Sequence, residues 1–216
     1  MGAELDPKLA EQHLLSADPV LARVVRQVGL PELRPRGSSP FQSLSRAIIY
    51  QQLHGKAAGA IYGRFVGLFD GAPETVDLDG WFPGPDEVVA ASDDALKSAG
   101  LSRQKIAALH DLARHFDQGL LSTGRFDDWA DDEIVEHLTQ VKGIGRWSAE
   151  IFLMMYLRRP DVMPTNDVGI NRALMNLYGL GEMPKPDKIR EMAEPWRPWR
   201  SAACLYLWRS LSIELP

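Results

Sequence analysis

Apolar residues recur along most of the chain at the three- and four-residue spacing of helices, whereas the alternating pattern of strands is scarce. The clearest helix start is Ser39-Pro40, an N-cap residue followed by proline at the first helical position. Ser92 and Ser102 are similar N-caps, and Asp131 is expected to cap the helix that follows it. Further helices are predicted at 145–158, 167–178, 186–194 and 198–213, and a Gly-, Pro- and Asp-rich loop at 70–86. The pattern therefore predicts an all-α protein of about ten helices.

Composition excludes several classes of protein. The 216 residues are 45% hydrophobic and 25% charged, which is ordinary for a globular protein. No apolar run reaches the roughly 18 residues of a membrane span, and the first residues lack the pattern of a signal peptide, so we expect a cytoplasmic protein. The single cysteine, Cys204, excludes an internal disulfide, a cysteine-rich zinc site and a four-cysteine iron–sulfur cluster.

The charge distribution matters more than the total. A net charge of −5 argues mildly against a nucleic-acid partner, because phosphate contacts need Lys and Arg. Between residues 139 and 159, however, four basic residues accompany one acidic residue, Glu150. This segment is compatible with a small DNA footprint, although such a cluster is also typical of an ordinary solvated face.

The segment LTQVKGIGRWSAE, residues 138–150, predicts two helices joined by a tight turn. Gly143 and Gly145 permit positive φ and a close approach to the backbone, while Ile144 between them would pin the helices together. Free N–H groups of the turn and the next helix N-terminus would form a phosphate site. From spacing alone, a plain connection with C-cap glycines is about equally favoured.

A second segment, MPTNDVGINRAL at 163–174, places Asp167 at or just before a helix N-terminus. The residues alone favour a helix cap by Asp167 or Asn166.

GIGRWSA resembles the helix–hairpin–helix of the helix–hairpin–helix/Gly-Pro-Asp DNA glycosylase superfamily, in its 3-methyladenine DNA glycosylase II type. The resemblance continues, with motifs in the same order, through 41–61, 163–174 and 196–210, and so covers about residues 17–211. It implies base-excision DNA repair, in which alkylated bases such as 3-methyladenine are flipped out of duplex DNA and their N-glycosidic bond is hydrolysed. Damaged double-stranded DNA would be the partner, and no cofactor is implied.

The resemblance also implies an architecture of two helical lobes flanking a DNA-binding cleft. Residues 36–159 would form the lobe that ends in the hairpin, and residues 1–35 with about 160–216 would form the other. The N-terminal β-rich domain common in the inducible bacterial relative is expected to be absent, because the matching helical core begins within the first 40 residues. A monomer is expected.

The family places its catalytic carboxylate about 20 residues after the hairpin, which corresponds to Asp167. Asn166 stands where many relatives have a second Asp, so a single carboxylate is available there. Such a carboxylate would stabilise the oxocarbenium-like transition state of the sugar. A cationic alkylated purine leaves without a strong general acid, so one Asp can suffice.

The family's base pocket corresponds to Trp147 and Trp208, with Ile151 replacing another aromatic residue. An aromatic face would attract the cationic base. For Trp208 the alternative is a core stripe with Leu205 and Leu211. Members with lyase activity carry a Lys nucleophile at the position of Trp147, and because Trp cannot form a Schiff base we expect a monofunctional hydrolase.

Gln51-Gln52-Leu53, here termed the wedge loop, resembles the loop that enters the minor groove, with Leu53 as the apolar wedge. An ordinary core leucine at a helix end is the alternative. The DNA-binding residues implied by the family are Gln52, Leu53, Lys142, Gly143, Ile144, Gly145 and Arg146. No catalytic metal is expected, but the family hairpin often binds a monovalent ion through carbonyls that correspond to Thr139, Val141 and Ile144.

Two other functions stay open at this point. One is a non-catalytic helix–hairpin–helix module that only binds DNA. The other is a glycosylase for mismatched or oxidised bases. The missing cysteine cluster argues against a mismatch enzyme, and the missing Lys argues against an oxidised-base enzyme.

Overall fold

The computed structural model describes residues 4–29, 37, 39–53, 55–77, 79–121, 124 and 126–213. These residues contain twelve α-helices, a 3-10 helix at Glu194–Trp196 and no strand, which confirms the all-α fold. The helices are α1 Pro7–Ala17, α2 Pro19–Val28, α3 Pro40–Tyr50, α4 Gly55–Val66, α5 Pro85–Ala90, α6 Asp93–Ser98, α7 Arg103–Asp117, α8 Asp131–Leu138, α9 Arg146–Met155, α10 Val168–Leu177, α11 Pro186–Ala193 and α12 Arg200–Ser210.

The helix boundaries follow capping chemistry. Ser39, Ser92 and Ser102 cap their helices through their side chains, as the pattern predicts. The prediction for Asp131 is wrong, because the N-cap is Ala130, whose N–H donates to the Glu133 carboxylate at 2.7 Å. A Glu at the third helical position thus sets the boundary one residue earlier.

Other elements also differ from the pattern, among them the last helix, predicted at 198–213 and observed at Arg200–Ser210. The predicted loop 70–86 is too long by two residues, since α5 begins at Pro85. The helix predicted to reach residue 158 ends at Met155, and Arg158 takes a left-handed φ of 54°. The helix α4 is not predicted at all, because the three glycines in GKAAGAIYGRFV lower its helix propensity.

The chain divides into two compact units, residues 35–152 and residues 1–34 with 153–216. The sequence-based division, with borders after residue 35 and near residue 159, stays a prediction.

In the unit 35–152, α7 packs against α3, α5 and α6, and α3 also packs against α4. Its core contains Leu44, Ile48, Leu109 and Leu112, all fully buried. The long helix α7 is therefore the central element of this unit.

In the unit formed by residues 1–34 and 153–216, α2 packs against α1 and α12, and α12 packs against α10. Asp18, the N-cap of α2, lies in its interior. One carboxylate oxygen accepts the N–H groups of Val20 and Leu21, and the other accepts from the Tyr178 hydroxyl and the Trp196 indole. The segments before α2, at the end of α10 and after α11 are thus joined by a single carboxylate.

Within the described residues, the structure contains no helix with the length and apolar character needed to cross a membrane.

Candidate active site and nucleic-acid interface

Asp167 is the N-cap of α10 and is only 7% exposed. Its Oδ1 accepts the Ile170 N–H at 2.8 Å and the Trp208 indole N–H at 2.9 Å. The capping role favoured by the residues alone is therefore confirmed. The partial positive charge at the N-terminus of α10 also stabilises the carboxylate anion. This carboxylate is held by two directed donors in a water-poor setting, which is the arrangement that electrostatic catalysis needs.

The backbone before α10 is tied to the helix it precedes. The Asp167 N–H donates to the Pro164 carbonyl at 3.0 Å, and the Asn171 side-chain amide donates to the Thr165 carbonyl at 3.2 Å. The Asn171 N–H also donates to the Asp167 carbonyl at 2.9 Å. Asn171 thus holds the turn that carries Asp167. The sequence does not identify Asn171, because a polar side chain one helical turn after an N-cap gives no signal of such a role.

Trp208 is half-buried on α12. The alternative of a core stripe is wrong, because Leu211 is 40% exposed and the buried face of α12 instead carries Cys204 and Leu207. Close approach of the indole to α10 depends on Gly169. A Cβ built there would lie 3.1 Å from Asp167 Oδ1, 3.1 Å from Trp208 Cδ1 and 3.2 Å from Trp208 Nε1.

We therefore expect Gly169→Ala to lower the rate of base release, the activity that the sequence resemblance implies, by about tenfold or more, because a small misplacement of reacting groups is costly. The same change improves the intrinsic helix propensity by about 1 kcal/mol, so stability should not fall in parallel. The matched control is Gly63→Ala in α4, where an added Cβ meets no described atom within 4 Å. Single-turnover base release and thermal unfolding, measured on both variants, separate the two effects. Equal rates for both variants would contradict the assigned contact.

The hairpin turn, residues 142–145, is seated on α7. Gly143 has φ +82°, and a Cβ there would lie 2.7 Å from the Ala108 Cβ. The Lys142 N–H donates to Asp111 Oδ2 at 2.8 Å, and the Ile144 side chain is buried as the pattern predicts. Burial raises the pKa of Asp111, but the hydrogen bonds from the Lys142 N–H and from Arg114 outweigh it, so the pKa lies below its ordinary value.

The prediction that the N–H groups of the turn are free to bind a phosphate is correct for only some of them. The N–H groups of Lys142 and Ile144 are used inside the protein, the latter by the Val141 carbonyl at 3.1 Å. The N–H groups of Gly143 and Gly145 make no hydrogen bond within the part of the chain that the structure describes. An added Cβ at Gly145 would meet no described atom within 4 Å, and its φ is not positive. The fold itself therefore explains glycine at 143 but not at 145.

Arg146 and two of the three predicted pocket residues, Trp147 and Ile151, lie on α9. The Arg146 guanidinium pairs with Asp132 and Glu150, each at 2.9 Å, so part of its charge is compensated within the protein. Trp147 is 40% exposed, and the partly exposed Ile151 follows it one helical turn later. Trp147 and Ile151 thus form an apolar strip on α9, whereas the Arg146 side chain is directed toward carboxylates.

The wedge loop follows α3, and its residues Gln52 and Leu53 are exposed. Gln52 takes a left-handed φ of 58°, and Leu53 is 39% exposed, so the alternative of a core leucine is wrong. The Gln51 side-chain amide donates to the Gly143 carbonyl at 3.0 Å and to the Ser148 hydroxyl at 3.2 Å. The Lys105 ammonium donates to the carbonyls of Ile49 and Gln51. Lys105 carries no sequence signal that could have predicted this contact.

A pocket of about 490 Å³ adjoins the wedge loop and the hairpin turn. Gln51, Gln52, Lys142 and Gly143 contribute to its lining together with Lys105 of α7. Burial lowers the pKa of Lys105 from its ordinary value.

The carbonyls assigned to a monovalent ion lie in the same segment. The Val141 carbonyl already accepts the Ile144 N–H, which leaves it one further lone pair. Ion binding by Thr139, Val141 and Ile144 stays a prediction. No group of three or more His, Cys, Asp or Glu side chains among the described residues could hold a metal.

Comparison with known proteins places these features in a family. The model of the HhH-GPD superfamily base excision DNA repair proteins matches residues 45–198. The chain belongs to the HhH-GPD superfamily. The matched range contains the wedge loop, the hairpin and Asp167, whereas Trp208 lies beyond it.

Individual relatives are similar over most of the chain. DNA-3-methyladenine glycosylase 1 of Schizosaccharomyces pombe is 35% identical over 209 residues, which cover 94% of this chain and 87% of that protein. DNA-3-methyladenine glycosylase 2 of Escherichia coli is 31% identical over 183 residues, covering 82% of this chain and 60% of that protein. The solved S. pombe 3-methyladenine DNA glycosylase (Mag1) in complex with abasic DNA superposes with a TM-score of 0.86 at 33% identity, over 96% and 98% of the two chains. The resemblance read from the sequence is confirmed.

In this HhH-GPD chain the predicted site residues fall into two sets. Asp167 and Trp208 belong to the unit of residues 1–34 and 153–216, where the structure joins them by a hydrogen bond. The wedge loop, the hairpin turn, Trp147 and Ile151 belong to the unit 35–152. There the structure joins the wedge loop to the hairpin turn through Gln51.

Proposed function

We propose that this protein is a monofunctional DNA glycosylase of base-excision repair, which hydrolyses the N-glycosidic bond of flipped-out alkylated bases such as 3-methyladenine. Membership of the HhH-GPD superfamily and the similarity to relatives named DNA-3-methyladenine glycosylase support the activity. The observation that carries the mechanism is the buried Asp167 carboxylate, held by Ile170 and Trp208 at the start of α10.

Asp167 is the proposed catalytic residue. As the bond from sugar to base lengthens, positive charge builds on the deoxyribose, and an anionic carboxylate facing it lowers the energy of that transition state. The carboxylate also orients the attacking water, whose oxygen bonds to the anomeric carbon as one of its protons is released to the carboxylate and then to solvent, and the bonding electrons leave with the base. Because an alkylated purine is already cationic, its departure neutralises it and needs no strong general acid.

Trp147 is the proposed contact for the flipped base. A cationic base over an indole face gains about 0.5–2 kcal/mol, which favours alkylated over normal bases. Ile151, one turn further along α9, contributes apolar surface rather than a second aromatic ring. Since Trp147 has no amine, no Schiff base forms at this position and the enzyme is hydrolytic.

DNA is the proposed partner, in keeping with the relative solved with abasic DNA. Leu53 fills the gap left by the flipped nucleotide, and the N–H groups of Gly143 and Gly145 bind a phosphate. The protein acts as a monomer in the cytoplasm.

Two alanine variants of the hairpin turn test the phosphate site. Gly145→Ala should fold normally but weaken binding of a duplex with an abasic analogue by about tenfold, because only an external ligand comes close to this position. Gly143→Ala should lose about 2–3 kcal/mol of unfolding free energy, since its Cβ would overlap Ala108 and its φ is left-handed. Urea unfolding and fluorescence anisotropy of labelled duplex measure the two quantities. If Gly145→Ala bound DNA like wild type, the turn would be a plain connection between helices.

A panel of duplexes, each with one lesion, tests the activity. The panel contains 3-methyladenine, ethenoadenine, hypoxanthine and an oxidised guanine, and products are resolved on gels with and without alkali. We expect release of alkylated bases, with strand cleavage only after alkali and no borohydride-trapped adduct. Cleavage without alkali would overturn the monofunctional assignment, and binding without any base release would favour the non-catalytic DNA-binding module.

A further inference from the structure

One face of α7 contacts both segments that the proposed function brings to DNA. Lys105, Ala108 and Asp111 follow one another at a spacing of three residues, so they lie along one side of the helix. Lys105 bonds to the wedge loop, Ala108 packs under Gly143, and Asp111 accepts the Lys142 N–H. The same helix therefore seats the wedge loop at one point and the hairpin turn one to two turns later.

Lys105 contacts the backbone at the C-terminal end of α3. Its ammonium lies 2.7 Å from the Ile49 carbonyl and 2.9 Å from the Gln51 carbonyl. The last carbonyls of a helix lack intrahelical donors and carry partial negative charge. A cation there both donates the missing hydrogen bonds and compensates the charge. Two of the three ammonium protons are thereby used inside the protein.

Gln52, which follows the Gln51 carbonyl held by Lys105, is under conformational strain. Gln52 has φ 58°, a region that non-glycine residues adopt only when their surroundings impose it. On its N-terminal side those surroundings are the Lys105 contacts and the bonds from the Gln51 amide to Gly143 and Ser148. The strained residue directly precedes the exposed Leu53. The direction in which Leu53 leaves the protein surface thus depends on how the backbone at residue 51 is fixed.

We propose that Lys105 is a positioning residue for the wedge: its ammonium fixes the backbone at Ile49 and Gln51, and this sets the conformation in which Leu53 enters the DNA. The proposal rests on the proposed function. Lys105 acts through the wedge loop and does not contact a phosphate.

The test compares Lys105→Met with Lys105→Arg in the full chain. The probe is a duplex with 2-aminopurine beside a tetrahydrofuran abasic site, whose fluorescence reports insertion of the wedge and requires no base release. We expect Lys105→Met to lower the insertion constant by about tenfold, because the loop is no longer held. Lys105→Arg should restore most of it, since a guanidinium can also donate to two carbonyls.

Two further readouts separate positioning from other roles. A lost phosphate contact would reduce the slope of log affinity against log salt by about 0.9, whereas the positioning role leaves the slope unchanged. Affinity for the same duplex gives the comparison with Leu53→Ala: Lys105→Met should lower it in the wild-type background but not further in Leu53→Ala, because the residue through which it acts is gone. A general loss of structure would lower the affinity in both backgrounds. The matched control is Lys97→Met on α6, which removes an exposed charge from the same unit and should give wild-type insertion.

The proposal is overturned if Lys105→Met inserts the wedge like wild type, if the salt slope falls, or if the effect persists unchanged with Leu53→Ala. Failure of the proposed function would be seen differently. In that case the wild-type chain would release no base from the lesion panel, whatever the insertion constants of the Lys105 variants.

Discussion

Replacing Asp167 by Asn should lower single-turnover release of an alkylated base by about 100- to 1,000-fold, the usual cost of removing one preorganised electrostatic partner of a transition state. The substitution keeps the shape of the side chain and an oxygen that can accept from Ile170 and Trp208. It removes only the negative charge that faces the sugar in the proposed mechanism. Rapid-quench assays with enzyme in excess over a duplex carrying one lesion measure this step.

The capping role of Asp167 supplies the controls. Asn caps helices about as well as Asp and keeps an oxygen for the Trp208 indole, so Asp167→Asn should keep the unfolding free energy within about 0.5 kcal/mol of wild type. Ser keeps the cap, but its shorter side chain gives up the indole, which should cost about 1 kcal/mol. Ala loses both the cap and the indole contact and should cost about 2 kcal/mol. All three variants should nevertheless lose activity to a similar extent. A rate that follows stability, with Asn near wild type and Ala most impaired, would reduce Asp167 to a structural cap.

Asp18→Ala should be the most destabilising single change considered, with a loss of about 3 kcal/mol of unfolding free energy. The cap of α2 accounts for about 1 kcal/mol. The rest comes from the Tyr178 hydroxyl and the Trp196 indole, which lose their shared acceptor in the interior, since an unsatisfied buried donor costs about 1–3 kcal/mol. The pKa of Tyr178, raised by burial and then by its bond to Asp18, keeps the hydroxyl protonated and donating. Urea unfolding at neutral pH gives the value.

The chain contains a matched control for this prediction. Asp6 also precedes a proline at the first helical position, and its carboxylate accepts from Lys8 and Leu9 at 2.9 and 3.0 Å, as that of Asp18 does from Val20 and Leu21. Asp6 is exposed, so Asp6→Ala should cost only about 1 kcal/mol. Similar losses at both positions would mean that the buried bonds of Asp18 contribute nothing.

Local chemistry made several features predictable from the sequence. Serine caps located α3, α6 and α7, and the GIG turn located the hairpin because glycine, hydrophobic plug and helix start follow one another within a few residues. The position of Asp167 at the start of α10 follows from the same local rules. Its proposed role in catalysis came from family resemblance and not from these rules, which alone favoured a cap.

Long-range contacts lay beyond such rules. Asp18 and Trp196 are far apart in sequence, and no periodicity pairs them. The bond from Lys105 to the Gln51 carbonyl joins α7 to a loop more than fifty residues earlier, and the interaction involves a main-chain oxygen, which every residue carries. The core stripe through Trp208 failed for a related reason, because helical spacing identifies residues that share a face but not which face is buried.

The central claim is that the Asp167 carboxylate stabilises positive charge on the sugar, and binding of a charged transition-state analogue tests it most directly. One duplex carries a pyrrolidine abasic nucleotide, which is cationic at the position of the sugar, and the other carries the neutral tetrahydrofuran analogue. Wild type should bind the cationic duplex about 100-fold more tightly than the neutral one, and Asp167→Asn should lose this preference while keeping its affinity for the neutral duplex. An undiminished preference in Asp167→Asn would contradict the account.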